Sequence, residues 1–321
     1  MSHKVFLTGA SGFVGSAVLR RLLADGEHVI AAVRRGSGAL SSPVRTVAFE
    51  SFEDDNAWEG ALTECDVVVH SAARVHVMND TEVDPLAAFR RVNVEGTLAL
   101  ARQAIAAGVK RFVFISSIKV NGEETQPGKP YTADDLPQPQ DPYGVSKMEA
   151  EVGLQKLAQQ SGLEVVIIRP VLVYGPGVKA NFLNMMRWLD RGIPLPFGAI
   201  DNRRSLVALE NLVDLVVTCI DHPAAANQTF LVSDGEDLST TALLRRMAQA
   251  LGKSARLLPV PAWMLTAGAK ALGKGGLSRR LCGSLQVDTG KTRNLLDWHP
   301  PVKVDAALLA VARHYQENDK K

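Results

Sequence analysis

The chain has 321 residues, long enough to bury a large core as one big α/β unit or as two lobes. Lys and Arg number 36 against 34 Asp and Glu, a formal net charge of +2, so there is no global positive field of the kind that draws a protein to nucleic acid. No uninterrupted apolar stretch reaches membrane-spanning length, and Lys4 to Leu7 is too short for a signal peptide before the chain enters a glycine turn. Cys65, Cys219 and Cys282 lie far apart without metal-type spacing, which predicts buried or free thiols and no metal. The expectation is a cytoplasmic protein with no nucleic-acid partner and no stable membrane insertion.

Val5, Phe6 and Leu7 form a short β-prone run, and Gly9, Gly12 and Gly15 follow at three-residue intervals. A helical pattern then carries apolar Val14, Val18, Leu19, Leu22 and Leu23. A strand that turns through glycines into a helix offers free backbone N–H groups and a positive helix end to a pyrophosphate. Gly9, Ser11, Gly12, Phe13, Val14 and Gly15 are therefore the expected cofactor-binding turn. His28 to Val33 reads as a second strand ending in Arg34-Arg35-Gly36, Pro43 to Phe49 as a third, and Asp66 to Ala73 as a fourth. Pro85 to Ala107 has a long helical pattern with Gly108 as its stop. Arg111 to Ser117 is a fifth strand, 121–142 a loop rich in Pro, Gly and Gln, Tyr143 to Ser161 a helix, and Glu164 to Ile168 a sixth strand closed by Arg169-Pro170. This alternation predicts an α/β fold, a Rossmann-type doubly wound parallel sheet that binds ligands beyond the carboxyl ends of its strands.

Past Pro170 the regularity fades. Val171 to Gly177 reads as a loop, Asn181 to Arg191 as a helix, Ser205 to Leu209 as a short extended piece, and Asn211 to Asp221 as a helix. Thr229 to Val232 is a last sheet strand, Thr241 to Leu251 a helix, Leu257 to Pro261 a small strand, Ala306 to His314 the final helix, and Glu317 to Lys321 a solvated tail. The expected division is a dinucleotide-binding domain over 1–170, with 205–233 partly returning to it, and a smaller C-terminal α/β substrate lobe over 171–204 and 234–321. Leu257 to Leu285 is rich in Leu and Ala, is broken by Gly268, Gly273, Gly275 and Gly276, and carries Trp263, Lys270, Lys274, Arg279 and Arg280. It reads mainly as a helix of the second lobe, the alternative being contact with a membrane surface or a membrane-bound partner.

Tyr143 and Lys147 stand four apart, on one face of a helix. A nearby ammonium favours a phenolate and should lower a reference pKa of about 10, which makes Tyr143 a general acid/base at an alcohol or ketone. Ser117, at the end of the fifth strand, would hold the same oxygen. His70 ends a buried strand and is expected to hydrogen-bond backbone, and neither it nor His76 belongs to a metal-type cluster.

Together these stretches resemble the extended short-chain dehydrogenase/reductase family, the NAD-dependent epimerase/dehydratase family, in its nucleotide-sugar branch. The resemblance spans nearly the whole chain: Thr8-Gly-Ala-Ser-Gly-Phe-Val-Gly15, His70-Ser-Ala-Ala73, Asn93-Val-Glu-Gly-Thr97, Ser116-Ser117, Tyr143-Gly-Val-Ser-Lys147 and Arg169-Pro-Val-Leu-Val-Tyr-Gly-Pro176. Lys291 to Pro300 fits the closing pattern, with Asp297 where glycine is usual. The resemblance implies Tyr143 as acid/base, Ser117 at the reacting oxygen, Lys147 also on the nicotinamide ribose, and Ala72, Ala73 and Pro170 along the cofactor groove. Asn93 would brace the central strands or take part in catalysis. Asn181 and Arg204 would contact a nucleotide-sugar diphosphate, with Arg279 or Arg280 as a second contact, although the usual downstream Arg-x-x-Asp is absent. Lys119 either touches substrate or is a loop charge. The resemblance also implies a homodimer through the helices at Pro85–Ala107 and Tyr143–Ser161.

NAD-selective members place a carboxylate at the end of the second strand. Here Arg34 and Arg35 stand there instead, suited to a 2′-phosphate with Ser11 or Ser37 assisting, so NADP(H) is favoured over NAD(H), the alternative being that both arginines are solvated loop charges. The leading expectation is a reductase acting at C4 of a UDP-4-keto-6-deoxy-N-acetylhexosamine for surface polysaccharide. The alternative is a UDP-hexose 4-epimerase (UDP-glucose or UDP-N-acetylglucosamine) with bound NAD. A third reading, a cofactor-binding sensor without catalysis, is opposed by the intact Ser117, Tyr143 and Lys147.

Overall fold

The computed structural model describes residues 2–36, 40, 44–51, 58–75, 84–271, 273 and 275–319; Ser37, Pro43, His76, Lys274 and the last two lysines lie outside them. The first half alternates strand and helix: β1 (Lys4–Thr8), α1 (Phe13–Ala24), β2 (His28–Arg34), β3 (Arg45–Phe49), α2 (Glu59–Leu62) and β4 (Val67–His70). It continues with α3 (Pro85–Arg90), α4 (Gly96–Ala106), β5 (Arg111–Ile115), α5 (Pro142–Ser161) and β6 (Glu164–Pro170). The expected single helix over 85–107 is thus interrupted: Arg91–Glu95, between α3 and α4, winds as a π-turn.

The second half holds β7 (Leu172–Tyr174), α6 (Ala180–Asp190), β8 (Arg204–Ala208), α7 (Leu209–Asp221), β9 (Thr229–Val232) and β10 (Asp237–Leu238). After these come α8 (Thr240–Ala250), α9 (Ala262–Ala271), α10 (Gly275–Cys282), α11 (Gly290–Leu296) and α12 (Val304–His314). Seven strands form one parallel sheet in the order β3-β2-β1-β4-β5-β6-β9. The order reverses between β1 and β4, the crevice where such sheets take ligands. Period-2 alternation sorts each strand between two cores: Val5 and Leu7 face one side with Leu19 and Leu212, and Phe6 faces the other with Leu100 and Leu154. Trp58 fills the second core, fully buried against Phe6 and Phe49 at ring-centroid distances of 5.5 and 4.7 Å.

Three expectations for the second half are corrected, and the solvated tail gains a turn. The expected loop at 171–177 contains β7, which pairs with β8 in a separate three-stranded sheet, order β10-β8-β7. Leu257–Pro261 makes only isolated bridges, Leu257 to Leu195 and Pro261 to Ala199. The Leu257–Leu285 stretch forms two helices, α9 and α10, separated at Gly273, which takes a left-handed φ of +67°. The tail winds into a last π-turn over Tyr315–Asp319. Asp297, in place of the family glycine, caps α11 in the left-handed region at φ +48°, a conformation that Asp tolerates better than most residues. Among the described residues no helix is long and apolar enough to cross a membrane.

Candidate active site

The glycine turn is shaped by steric necessity. Gly9 sits at φ +73°, and a Cβ there would lie 2.7 Å from the backbone N of Ala72. A Cβ on Gly15 would fall inside the Gly9 carbonyl. Gly12 is the N-cap of α1; its N–H donates to Gly9 O at 2.8 Å, and no side chain caps the helix. Ser71 Oγ donates to Thr8 O at 2.9 Å and Ala72 N to Thr8 Oγ1 at 3.3 Å, drawing the end of β4 against the turn. Gly9, Gly12, Gly15 and Ala72 therefore converge at the β1/β4 crevice. Ser11 is exposed there, while Phe13 and Val14 are half-buried and pack on the core. A backbone cradle without side chains, at the positive end of a helix, fits a dinucleotide pyrophosphate. Gly15→Ala is expected to cost about 1–3 kcal/mol of stability by overpacking and to weaken nucleotide binding roughly tenfold or more by pushing Gly9 into the phosphate seat. Calorimetric titration with NAD and NADP and a thermal melt check this, and unchanged affinity would contradict the cradle.

Arg34 ends β2. Arg35 pairs with Glu50 at 2.9 Å, with both side chains mostly exposed.

Asp141 accepts from Gly144 N at 2.7 Å and Pro142 occupies the first position of α5, so the helix starts just before Tyr143. A Cβ on Gly144 would lie 2.8 Å from Lys119 O, so this glycine lets the loop after Ser117 close on the helix. Ser117 Oγ accepts from Lys119 N at 3.2 Å, which leaves its proton to donate, and it faces the Tyr143 phenol. The structure brings Ser117, Tyr143 and Lys147 to one place.

The expected electrostatics is corrected. Burial, the largest cause, pushes Tyr143 up to about 12; the negative Asp141 adds to the rise, and only the Ser117 hydrogen bond opposes it. Lys147 is pulled down to about 7 by burial, against a smaller opposing pull from Glu151. Its Nζ donates to Ile115 O at 2.9 Å and lies 4.4 Å from the centre of the Phe114 ring. Desolvation disfavours the charged form of each group, phenolate and ammonium alike.

Beneath the site, one feature escaped the sequence reading and a second takes a different form from the one expected. Glu151, a further turn along α5 from Lys147, is ion-paired with Arg169 at 2.6 Å, and the two side chains are 3% and 5% exposed. Ser116 also donates to Glu151, and Arg169 reaches Asn121 at 3.0 Å. The spacing Tyr143, Lys147, Glu151 was the available signal. The second feature is a polar chain. Thr97 donates its one hydroxyl proton to Asn93 O at 2.8 Å, so it accepts from His70 Nε2 at 2.9 Å; Nδ1 then accepts from Thr8 Oγ1 at 2.7 Å. His70 thus binds two hydroxyls, not backbone. Asn93, on the π-turn, grips Arg74 N and O at 2.8 and 3.0 Å and reaches Ser146 Oγ at 3.0 Å, bracing the loop after β4 against α5.

Burial, helped by the charge of Lys147, lowers His70 to about 3. Between pH 6.5 and 3 the unfolded chain binds a proton that the folded one refuses, so stability falls as pH drops through this window, by about 1.4 kcal/mol per unit. Urea midpoints from pH 7 to 4.5 are expected to fall by one proton's slope less in His70→Asn than in the unaltered chain. Equal slopes would contradict the buried neutral imidazole.

The other expected residues divide. Lys119 forms ion pairs with Asp141 and with Glu123 at 3.2 Å, favouring the loop-charge alternative. Ala73 is half-buried past the end of β4, and Pro170 is buried at the end of β6. Asn181 is exposed on the first turn of α6. Arg204 Nη1 donates to Gly283 O at 3.0 Å, and burial lowers its pKa, with Glu124 opposing and Arg280 adding a smaller push down. Arg280 is exposed on α10, and Arg279 turns to Glu123 at 3.4 Å. The loop at 121–142 is pinned to the segment after α10 by Thr125 N to Ser284 O at 2.8 Å and Tyr131 N to Gln286 O at 2.9 Å, so it joins the Ser117 end of the site to the second lobe.

Comparison with known proteins bears on the family and the fold. The family described as "NAD dependent epimerase/dehydratase family" matches residues 5–233. A UDP-glucose 4-epimerase of Vibrio cholerae is 49% identical over 323 residues, covering 100% of this chain and 98% of that one. A UDP-glucose 4-epimerase of Mycolicibacterium smegmatis is 30% identical over 335 residues, covering 99% and 100%. Among solved structures, a UDP-glucose 4-epimerase of Thermotoga maritima with UDP-glucose superposes with a TM-score of 0.79 at 23% identity, covering 99% of this chain and 100% of that one, a likeness of fold.

Proposed function

The chain belongs to the NAD dependent epimerase/dehydratase family, and from that premise we propose that it is a UDP-hexose 4-epimerase that keeps its NAD bound. The observation that carries the reading is the 49% identity, over the whole chain, to a relative named UDP-glucose 4-epimerase. It favours this activity over the C4 reductase expected from the sequence.

When bound, the nicotinamide would accept and return the C4 hydrogen of the sugar. Tyr143 removes the proton of the C4 hydroxyl as that hydrogen leaves and gives it back as the hydrogen returns. A phenol held high by burial is a poor base alone, so the hydrogen bond from Ser117 and the charge on Lys147 must favour the phenolate when sugar and cofactor fill the site. Arg204 and Arg280 would supply guanidiniums to the diphosphate, a charge pairing that also relieves their mutual repulsion.

Arg34 and Arg35 favour the second reading, a 4-keto sugar reductase using NADPH. The pairing of Arg35 with Glu50 weakens it by occupying one guanidinium. The test is to offer UDP-N-acetylglucosamine and UDP-glucose without added nucleotide, then a UDP-4-keto-6-deoxy-N-acetylhexosamine with NADPH or NADH. Appearance of the galacto epimers supports the epimerase; stoichiometric NADPH consumption without epimerisation overturns it.

A further inference from the structure

We propose that α9 and the segment leading into it form a docking face for an anionic lipid surface. A surface helix ordinarily turns polar residues outward. In α9 none of the ten residues is fully buried: Ala262, Leu265, Thr266 and Ala269 form the half-buried inner side, and Trp263, Met264, Ala267, Gly268 and Ala271 face out. Trp263 is 71% exposed and Met264 48%, and Leu258, just upstream, is 52% exposed. These residues give a contiguous apolar ridge tipped with tryptophan, the residue that sits best at the boundary between water and lipid.

Charge says what covers it. From Leu238 to Val287 the sequence has no Asp or Glu and eight Lys or Arg, in a chain whose totals are nearly balanced at 36 and 34; of the eight, Arg246, Lys253 and Arg279 pair with carboxylates of other segments. Arg256 and Lys270, beside the ridge, are exposed. An apolar ridge flanked by cations and free of carboxylates along its own sequence matches an anionic headgroup layer, with the ridge entering the interface and the cations staying among the phosphates. α10 follows α9 directly, so docking would hold the second lobe near the membrane without any spanning segment.

The test is sedimentation of the full chain with vesicles of phosphatidylcholine alone and with about one-third phosphatidylglycerol. The protein is expected to sediment with the anionic vesicles only, and to be released roughly tenfold or more between about 0.05 and 0.5 M NaCl. Trp263→Glu/Met264→Glu should stay in the supernatant while keeping the melting temperature and sugar turnover of the unaltered chain. If that variant misfolds, Arg256→Gln/Lys270→Gln replaces it, with the same loss expected. The proposal is overturned if the unaltered chain ignores anionic vesicles, binds neutral ones equally, or is matched by a folded variant. Vesicle-free self-association that Trp263→Glu abolishes would also overturn it, assigning the face to a second copy.

Discussion

Tyr143→Phe is expected to lower turnover of a UDP-hexose by about 10²–10⁴-fold, the usual contribution of a positioned general acid or base, and to leave nucleotide affinity nearly unchanged. The ring stays where α5 begins and keeps its edge-on packing against Phe89, with centroids 6.0 Å apart. Only the hydroxyl that faces Ser117 is lost. The loss should appear in kcat, because the proton moves in the transition state and not on binding. A variant retaining a tenth or more of the turnover would remove Tyr143 from the chemistry and pass the proton to another group.

The largest structural effect is expected at the ion pair below. Arg169→Met should destabilise the fold by about 3–5 kcal/mol, because it leaves the Glu151 carboxylate buried without its cation. Replacing both as Glu151→Leu/Arg169→Met should recover most of that loss, since two matched apolar side chains need no desolvated charge. Glu151→Gln carries a second readout. Glu151 opposes the fall of the Lys147 pKa, so removing its charge moves Lys147 further below about 7. If the ammonium is the working form, activity on the alkaline side should fail at a lower pH than in the unaltered chain. Urea titration and a pH profile of kcat measure the two effects. An Arg169→Met protein as stable as the original would contradict the pair's structural weight, and an unmoved alkaline limb would contradict its influence on Lys147.

The parts of this molecule written in local pattern were readable from sequence. The glycine turn, the β-branched strands and the body of α5 from Tyr143 each specify their conformation within a few residues, and the parallel sheet follows from their alternation. The small sheet was not readable, because Leu172–Tyr174 is three residues long and becomes a strand only by pairing with Leu206–Ala208. The π-turn at Arg91–Glu95 has a helical apolar pattern, and what distinguishes it is the grip of Asn93 on Arg74 and Ser146. At the site, the spacing of Tyr143 and Lys147 put both on one face of α5 but did not give the direction of their pKa shifts, which depends on burial and on the direction of Nζ toward Ile115. Lys119 shows the same limit, since it pairs with Glu123 and Asp141 and Asp141 is distant in sequence.

Conversion of UDP-N-acetylglucosamine in D₂O by the purified protein, with no nucleotide added, tests the central claim most directly. The proposal predicts the galacto epimer with protium at C4, because the hydrogen that leaves the sugar returns to it, and predicts that Tyr143→Phe forms almost none. No epimer from this sugar or from UDP-glucose, or an epimer carrying deuterium at C4, would contradict it.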